Sequence, residues 1–188
     1  MAWQLIGGHV ALDLVNTVAW RLDPERTVDR LTDPARLADW VAAALAGQVV
    51  GTDPALPGVL DRVRALRENL AGVLQSHLAG RPLPAAGMRA LDQAWLEAVR
   101  AAPEPTALPI RRRVPVRAAP DLPHRLALES MDLLQDPRLE RLRQCAGAGC
   151  GWLFLDGTRN HSRIWCDAQD CGNRARVRRY VARRRSRS

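Results

Sequence analysis

The four cysteines of this 188-residue chain all fall within its last 44 positions, and they constrain its fold more than any other feature. They stand as Cys145 and Cys150 in CAGAGC and as Cys166 and Cys171 in CDAQDC: a C-x4-C pair, a 15-residue insert, and a second C-x4-C pair. Two knuckles of equal length around a hairpin-sized insert let four thiolates converge on one ion. Four sulfurs at tetrahedral corners suit Zn²⁺ in a structural site. Iron accepts four thiolates too, but zinc is the commoner occupant. The competing readings are two disulfides or four free core thiols. The opening MAWQLIGGHV has no basic stretch ahead of a long apolar one, so no secretory signal is read there. No apolar run approaches the roughly 20 residues of a membrane span. A cytoplasmic location without membrane association is expected, with reduced thiols, and this favours the metal over the disulfides. Gly147 and Gly149 allow the first knuckle to turn tightly around an ion.

The insert GWLFLDGTRNHSRIW predicts a strand at Trp152–Leu155, a turn beginning at Asp156 and Gly157, and a return strand around Arg163–Trp165. An arginine-rich helix follows, with Cys171 in its first turn. Knuckle, hairpin and ligand-bearing helix together make a treble-clef-like zinc module. About 50 residues with so few large apolar groups cannot fold on burial alone. Zinc binding, worth about 10 to 16 kcal/mol in small finger peptides, supplies the difference. On the helix, Val177, Tyr180 and Val181 share an arc that is expected to pack against the body. Arg176, Arg179 and Arg183 line the other side, Arg174, Arg178 and Arg185 form a flank, and Arg184 intrudes on the apolar arc. Asn173 is expected to satisfy free backbone amides in the first turn.

All 28 basic residues are arginine. Residues 1–137 hold 15 arginines and 16 acids, whereas residues 138–188 hold 13 arginines and 4 acids, so the whole positive excess is C-terminal. That asymmetry points to a polyanion, nucleic acid before an anionic membrane surface. Arg174, Arg176, Arg178, Arg179 and Arg183 are the candidate contacts. Phosphate contacts should dominate, and specificity would need one or two of these arginines at guanine edges.

Ahead of the cysteines the signals are helical. Asp33 caps and Pro34 opens a helix with Leu37, Trp40, Val41 and Leu45 on one face and Gly47 at its end. Val59, Val63, Leu66, Leu70, Val73, Leu74 and Leu78 mark a long helix over Val59–Leu78. A third runs from about Pro84 to Ala101 on Met88, Leu91, Trp95 and Val99, and a fourth over Leu122–Gln135. Asp136 and Pro137 start a short helix through Arg143. Between Pro103 and Pro123 six prolines predict a loop or an edge hairpin, with Arg111, Arg112 and Arg113 on a solvated face. The fold class is therefore mainly α, of the α+β kind. A helical N-terminal domain with at most a small β-hairpin occupies residues 1–137, and the zinc module residues 138–188.

In HVALDLVNTVAW the polar residues Asp13, Asn16 and Thr17 interrupt an apolar run and must be paired if buried. One reading has them stitch the domain together. The other is an effector pocket floored by Asp13, Asn16 and Arg21, with Trp40 nearby, where convergent polar groups orient a small molecule.

The pattern C-x4-C…WLFLD…RNHSRIWC-x4-CGNR, over Leu142 to about Arg184, resembles the CGNR zinc-finger family, whose tetrapeptide is Cys171–Arg174 here. LDLVNTV (Leu12–Val18) and DRLTDPARLADWV (Asp29–Val41) resemble the ABATE domain that accompanies that finger. The resemblance implies a stress-induced bacterial transcription regulator with zinc on Cys145, Cys150, Cys166 and Cys171 and a finger that contacts double-stranded DNA. One departure is Ile164, where the family carries a basic residue before Trp165. The same basic finger would serve an RNA-binding or ribosome-associated module. Treble-clef nucleases use a hairpin histidine, a role His161 would fill, but the helix that follows offers only Asn173 toward a second metal site. No enzymatic activity is expected. A homodimer would suit a regulator, although no heptad marks a seam.

Overall fold

A computed structural model of the chain describes residues 3–46 and 58–185. Its helices follow the apolar spacing closely. α1 spans Val10–Val15. α2 spans Pro34–Ala44, with Pro34 in its first turn and the Asp33 carboxylate accepting from the Arg36 amide at 2.9 Å. The helix end expected at Gly47 lies outside the described residues. α3 (Val59–Leu78), α4 (Ala85–Ala101) and α5 (Asp121–Leu134) form a mutually packed trio, and α1 sits across α3 and α5. The core they enclose includes the fully buried Leu12, Leu14, Leu37, Trp40, Leu70, Leu74, Leu126 and Leu133. Each such leucine contributes roughly 1.5 to 3 kcal/mol of burial. Met88, Trp95 and Val99 of α4 are half-buried against that core.

The proline-rich segment is a loop, not a hairpin; Val114 and Val116 are its buried pegs, while Arg111 and Arg113 are exposed. Two short antiparallel ribbons appear elsewhere. β1 (Val18–Ala19) pairs with β2 (Val28–Asp29), and β3 (Leu142–Gln144) pairs with β4 (Leu153–Leu155). The expected helix through Arg143 is a 3-10 turn over Pro137–Arg141, capped by Asp136, after which the chain is already extended in β3. The return strand around Arg163–Trp165 does not form. β4 takes its partner from before the first knuckle, so Cys145 and Cys150 lie in the turn of the β3–β4 hairpin. The segment after β4 is instead held by side chains. Buried Asp156 accepts from the Thr158 amide at 2.9 Å, the Thr158 hydroxyl at 2.6 Å and the Arg163 amide at 3.0 Å. The Arg163 guanidinium lies 4.1 Å over the Phe154 ring and donates to the Cys166 carbonyl at 2.6 Å.

The core does not stop at residue 137. Leu142, Leu153 and Leu155 join the helical cluster, and the free edge of β4 is sealed by the N-terminal segment. The Leu155 amide donates to the Gly7 carbonyl at 2.9 Å. The Asn16 side chain accepts from the Leu153 amide and donates to its carbonyl, both at 2.8 Å. A carboxamide presents the same donor and acceptor as a peptide unit, so Asn16 serves as one residue of a missing strand.

Candidate metal centre and basic helix

β3 delivers Cys145 and β4 takes up the chain after Cys150. The turn between them is closed by the Cys145 amide on the Trp152 carbonyl at 2.8 Å and the Cys150 amide on the Gly147 carbonyl at 2.9 Å. A Cβ on Gly147 would stand 2.9 Å from the Cys171 sulfur, so only glycine leaves room for the sulfurs to converge. The second knuckle is a wide π-type turn over Ala168–Gly172 that swings Cys171 inward and leads directly into α6 (Asn173–Arg185). Its cap is Asp167, whose carboxylate accepts from the Gln169 amide at 2.6 Å. The capping role expected of Asn173 therefore belongs to Asp167, and Asn173 faces solvent.

The four Sγ atoms all lie within 4.8 Å of one another, with Cys150 to Cys166 at 3.8 Å and Cys166 to Cys171 at 3.5 Å. Sulfurs bound tetrahedrally to zinc at about 2.3 Å stand about 3.8 Å apart, so the set fits one zinc ion and is too open for disulfides. All four residues are buried. The Cys145 sulfur accepts from the Gly147 amide at 3.4 Å and the Cys166 amide at 3.2 Å, and the Cys171 sulfur from the Arg174 guanidinium at 2.9 Å. The neighbouring thiols, with those amides, hold Cys145 far below the ordinary thiol range. The Cys145 sulfur in turn pushes Cys150 and Cys166 up, and burial pushes Cys171 up. Four buried sulfurs cannot all ionise beside one another without a divalent cation, and the amide donors are those a zinc thiolate site offers its ligands. Four cysteines fill the tetrahedron, which makes the zinc structural.

The first knuckle rests in a cradle supplied by the β1–β2 ribbon. The Arg21 and Leu22 amides donate to the Cys150 and Gly149 carbonyls at 3.1 and 3.2 Å, and the Trp152 indole donates to the Val18 carbonyl at 3.0 Å. Gly149 has φ of 75°, and a Cβ there would stand 2.8 Å from that of Asp23. The ribbon is held in turn by Arg67, a buried arginine on the apolar face of α3. Its guanidinium grips the Asp29 carboxylate at 2.8 and 2.7 Å and reaches the Thr17 hydroxyl at 3.0 Å. Burial opposes ionisation of Asp29, but Arg67, the Leu31 amide and Arg64 together outweigh it and hold that carboxyl below its usual range.

The residues expected to floor an effector pocket do not converge on one. Asp13 accepts from the Gly7 amide at 2.8 Å, and Asn16 is spent on β4. Arg21 is paired with Glu68 at 2.5 Å, and Trp40 is fully inside the core. The stitching reading describes them. A cleft of about 300 Å³ opens elsewhere, beside the zinc ligands, between Trp20, Trp152, Arg30 and Arg174.

Arg174 is drawn back to the metal centre. It pairs with Asp170, donates to Cys171 and lies 4.8 Å over the Trp20 ring, whose other cationic neighbour is Arg26 at 3.4 Å. The remaining expected contacts, Arg176, Arg178, Arg179 and Arg183, are exposed along α6. The apolar arc does not pack. Val177, Tyr180 and Val181 are 54%, 61% and 41% exposed, and the buried residue of α6 is Ala175. His161 is exposed on the loop after β4, with φ of 50°, and among the described residues the only metal-competent cluster is the four cysteines. Ile164 is exposed and lends its carbonyl to the Ala146 amide at 2.9 Å.

Sequence reasoning missed Arg67, Trp20 and Asp167. Arg67 left a trace, since it sits four residues after Val63 and three before Leu70, at an apolar position of the helix. No helix of the described residues is long and apolar enough to cross a membrane. No curated protein matches the chain. Two family profiles do: one described as "CGNR zinc finger" over residues 141–184, and the ABATE profile, described as "Putative stress-induced transcription regulator", over residues 8–148. With residues 8–148 under the second profile and its metal centre under the first, the chain belongs to the ABATE family and carries a CGNR zinc finger.

Proposed function

We propose that the protein regulates transcription by binding double-stranded DNA through α6, which the zinc fixes in direction. The observation that carries this is the helix itself. Asn173–Arg185 contains seven arginines and no acid, and all of them except Arg174 are exposed. Solubility does not call for such density, and phosphates do. Cys171 ties the start of the helix to the zinc, and Arg174 ties its first turn to Cys171 and Asp170, so the cationic rod leaves the body in a set direction. The N-terminal domain holds the first knuckle through Arg21, Leu22 and Val18. An effector acting on that domain would reach the finger through this ribbon.

The role is one of binding, without catalysis. Four sulfurs leave the zinc no open position for water, and among the described residues His161 belongs to no metal-competent group. The test is competition between a 20-base-pair DNA duplex and a structured RNA hairpin for the zinc-loaded protein, with a triple variant carrying Arg176→Gln, Arg178→Gln and Arg179→Gln as control. Duplex DNA should win, and the variant's salt slope should be shallower by about 2 to 3. Preference for the hairpin, or an unchanged slope, would sink the proposal.

A further inference from the structure

We infer that Val177, Tyr180 and Val181 form the base-reading face of α6, and that they meet thymine methyl groups in the major groove. This rests on the DNA-binding reading above and adds what that reading lacks, a source of sequence preference. At about 100° per residue the helix has three kinds of face. Ala175, buried against the body, marks the inner one, and Ala182, two turns on, shares its direction but is exposed. Val177, Tyr180 and Val181 lie almost diametrically opposite, pointing straight away from the body. Arg176, Arg179 and Arg183 run down one flank between these faces, and Arg178 and Arg185 down the other. Arg184 enters the outer arc, where it lies 5.9 Å over the Tyr180 ring.

An apolar strip facing outward between two cationic rows suits the major groove of DNA. A helix about 10 to 12 Å across fits a major groove about 12 Å wide, and its deepest residues then meet base edges while its flanks meet the two phosphate walls. The apolar feature on a base edge in that groove is the C5 methyl of thymine. The Tyr180 hydroxyl adds a donor and acceptor at the same depth. A second copy of this helix would suit the strip less well, because it would bring seven more arginines against these seven with no acid on either helix to offset them.

The test uses the full-length, zinc-loaded protein and pairs of duplexes that differ only in the C5 methyl of their pyrimidines. Alternating dA and dT is compared with alternating dA and dU, and alternating dI and 5-methyl-dC with alternating dI and dC. The methylated partner of each pair should bind more tightly, by about fourfold for each methyl buried. A variant carrying Val177→Ser and Val181→Ser, both at exposed positions, should lose most of that preference while keeping the wild-type salt slope. Equal wild-type binding within each pair, with a steep slope, would refute the base-reading face and leave the DNA-binding reading standing. Shallow, weak binding to every duplex would refute both. A dimer that the double substitution splits, or adhesion to anionic vesicles that it abolishes, would assign the strip elsewhere and overturn the inference.

Discussion

Asn16→Ala removes one small side chain far from any zinc ligand in sequence, yet the structure makes it a costly change. Asn16 occupies both polar groups of Leu153 at 2.8 Å, and Leu153 is fully buried. Alanine leaves a buried amide and a buried carbonyl without partners. Each orphaned group costs about 1 to 3 kcal/mol, so the pair should cost about 3 kcal/mol after partial relaxation. In urea, with a slope of about 2 kcal/mol per molar, the unfolding midpoint should fall by about 1.5 M, followed by tryptophan fluorescence on the zinc-loaded protein. Zinc content should stay at one ion per chain, because no sulfur has moved. Asn16→Asp is the informative companion. It keeps an acceptor for the Leu153 amide but turns an oxygen toward the Leu153 carbonyl, so at neutral pH it should lose as much as alanine. A midpoint shift below about 0.3 M, or full tolerance of the aspartate, would refute the claim that this carboxamide completes the edge of β4.

Three further outcomes follow from the same geometry. Burial raises the Asp13 carboxyl from 3.8 to about 6, so the folded state binds its proton more tightly than the unfolded chain does. Its favourable contribution is full below about pH 4 and lost as pH rises to about 6. Asp13→Asn, which keeps an acceptor for the Gly7 amide, should therefore be more stable than wild type by up to about 2 to 3 kcal/mol at pH 7 and no more stable at pH 4, measured by urea titration at both. Gly149→Ala should cost at least about 1 to 2 kcal/mol through its left-handed backbone and its collision with Asp23, whereas Gly157→Ala, in open space, should stay within about 0.5 kcal/mol of wild type in thermal unfolding. Arg67→Met should lose about 1 to 3 kcal/mol, because Asp29 gives up its bidentate partner and keeps only the Leu31 amide and Arg64, and equal stability would mean the Arg67–Asp29 pair does not hold the ribbon.

The helices were legible because burial has a period. Val63, Leu70 and Leu74 recur on the face they bury, and Asp33 with Pro34 marks a start that local chemistry alone decides. The zinc site was legible because a tetrahedral ion imposes spacing on its ligands. What escaped depended on partners distant in sequence. β4 shows a strand signal, but nothing in Trp152–Leu155 says whether its partner lies before the first knuckle or after the loop. Asn16 and Leu153 stand 137 positions apart, so a stitch and a pocket floor look alike until the chain is folded. α6 shows the same limit most sharply. Its apolar arc is plain in the sequence, yet the direction it faces is set by the wide turn at Cys171, and that turn places small Ala175 inward and Val177, Tyr180 and Val181 outward.

The central claim is that zinc aims a cationic helix at the phosphates of DNA. It is tested most directly by the salt dependence of duplex binding, measured on zinc-loaded protein and on the same protein stripped by a chelator. With about five arginines on phosphates, log K for the loaded protein should fall against log salt with a slope of about −4 to −5. Stripping should weaken binding and flatten the slope, as the helix loses its anchor at Cys171. A slope near −1 for the loaded protein, or identical lines before and after zinc removal, would contradict the account.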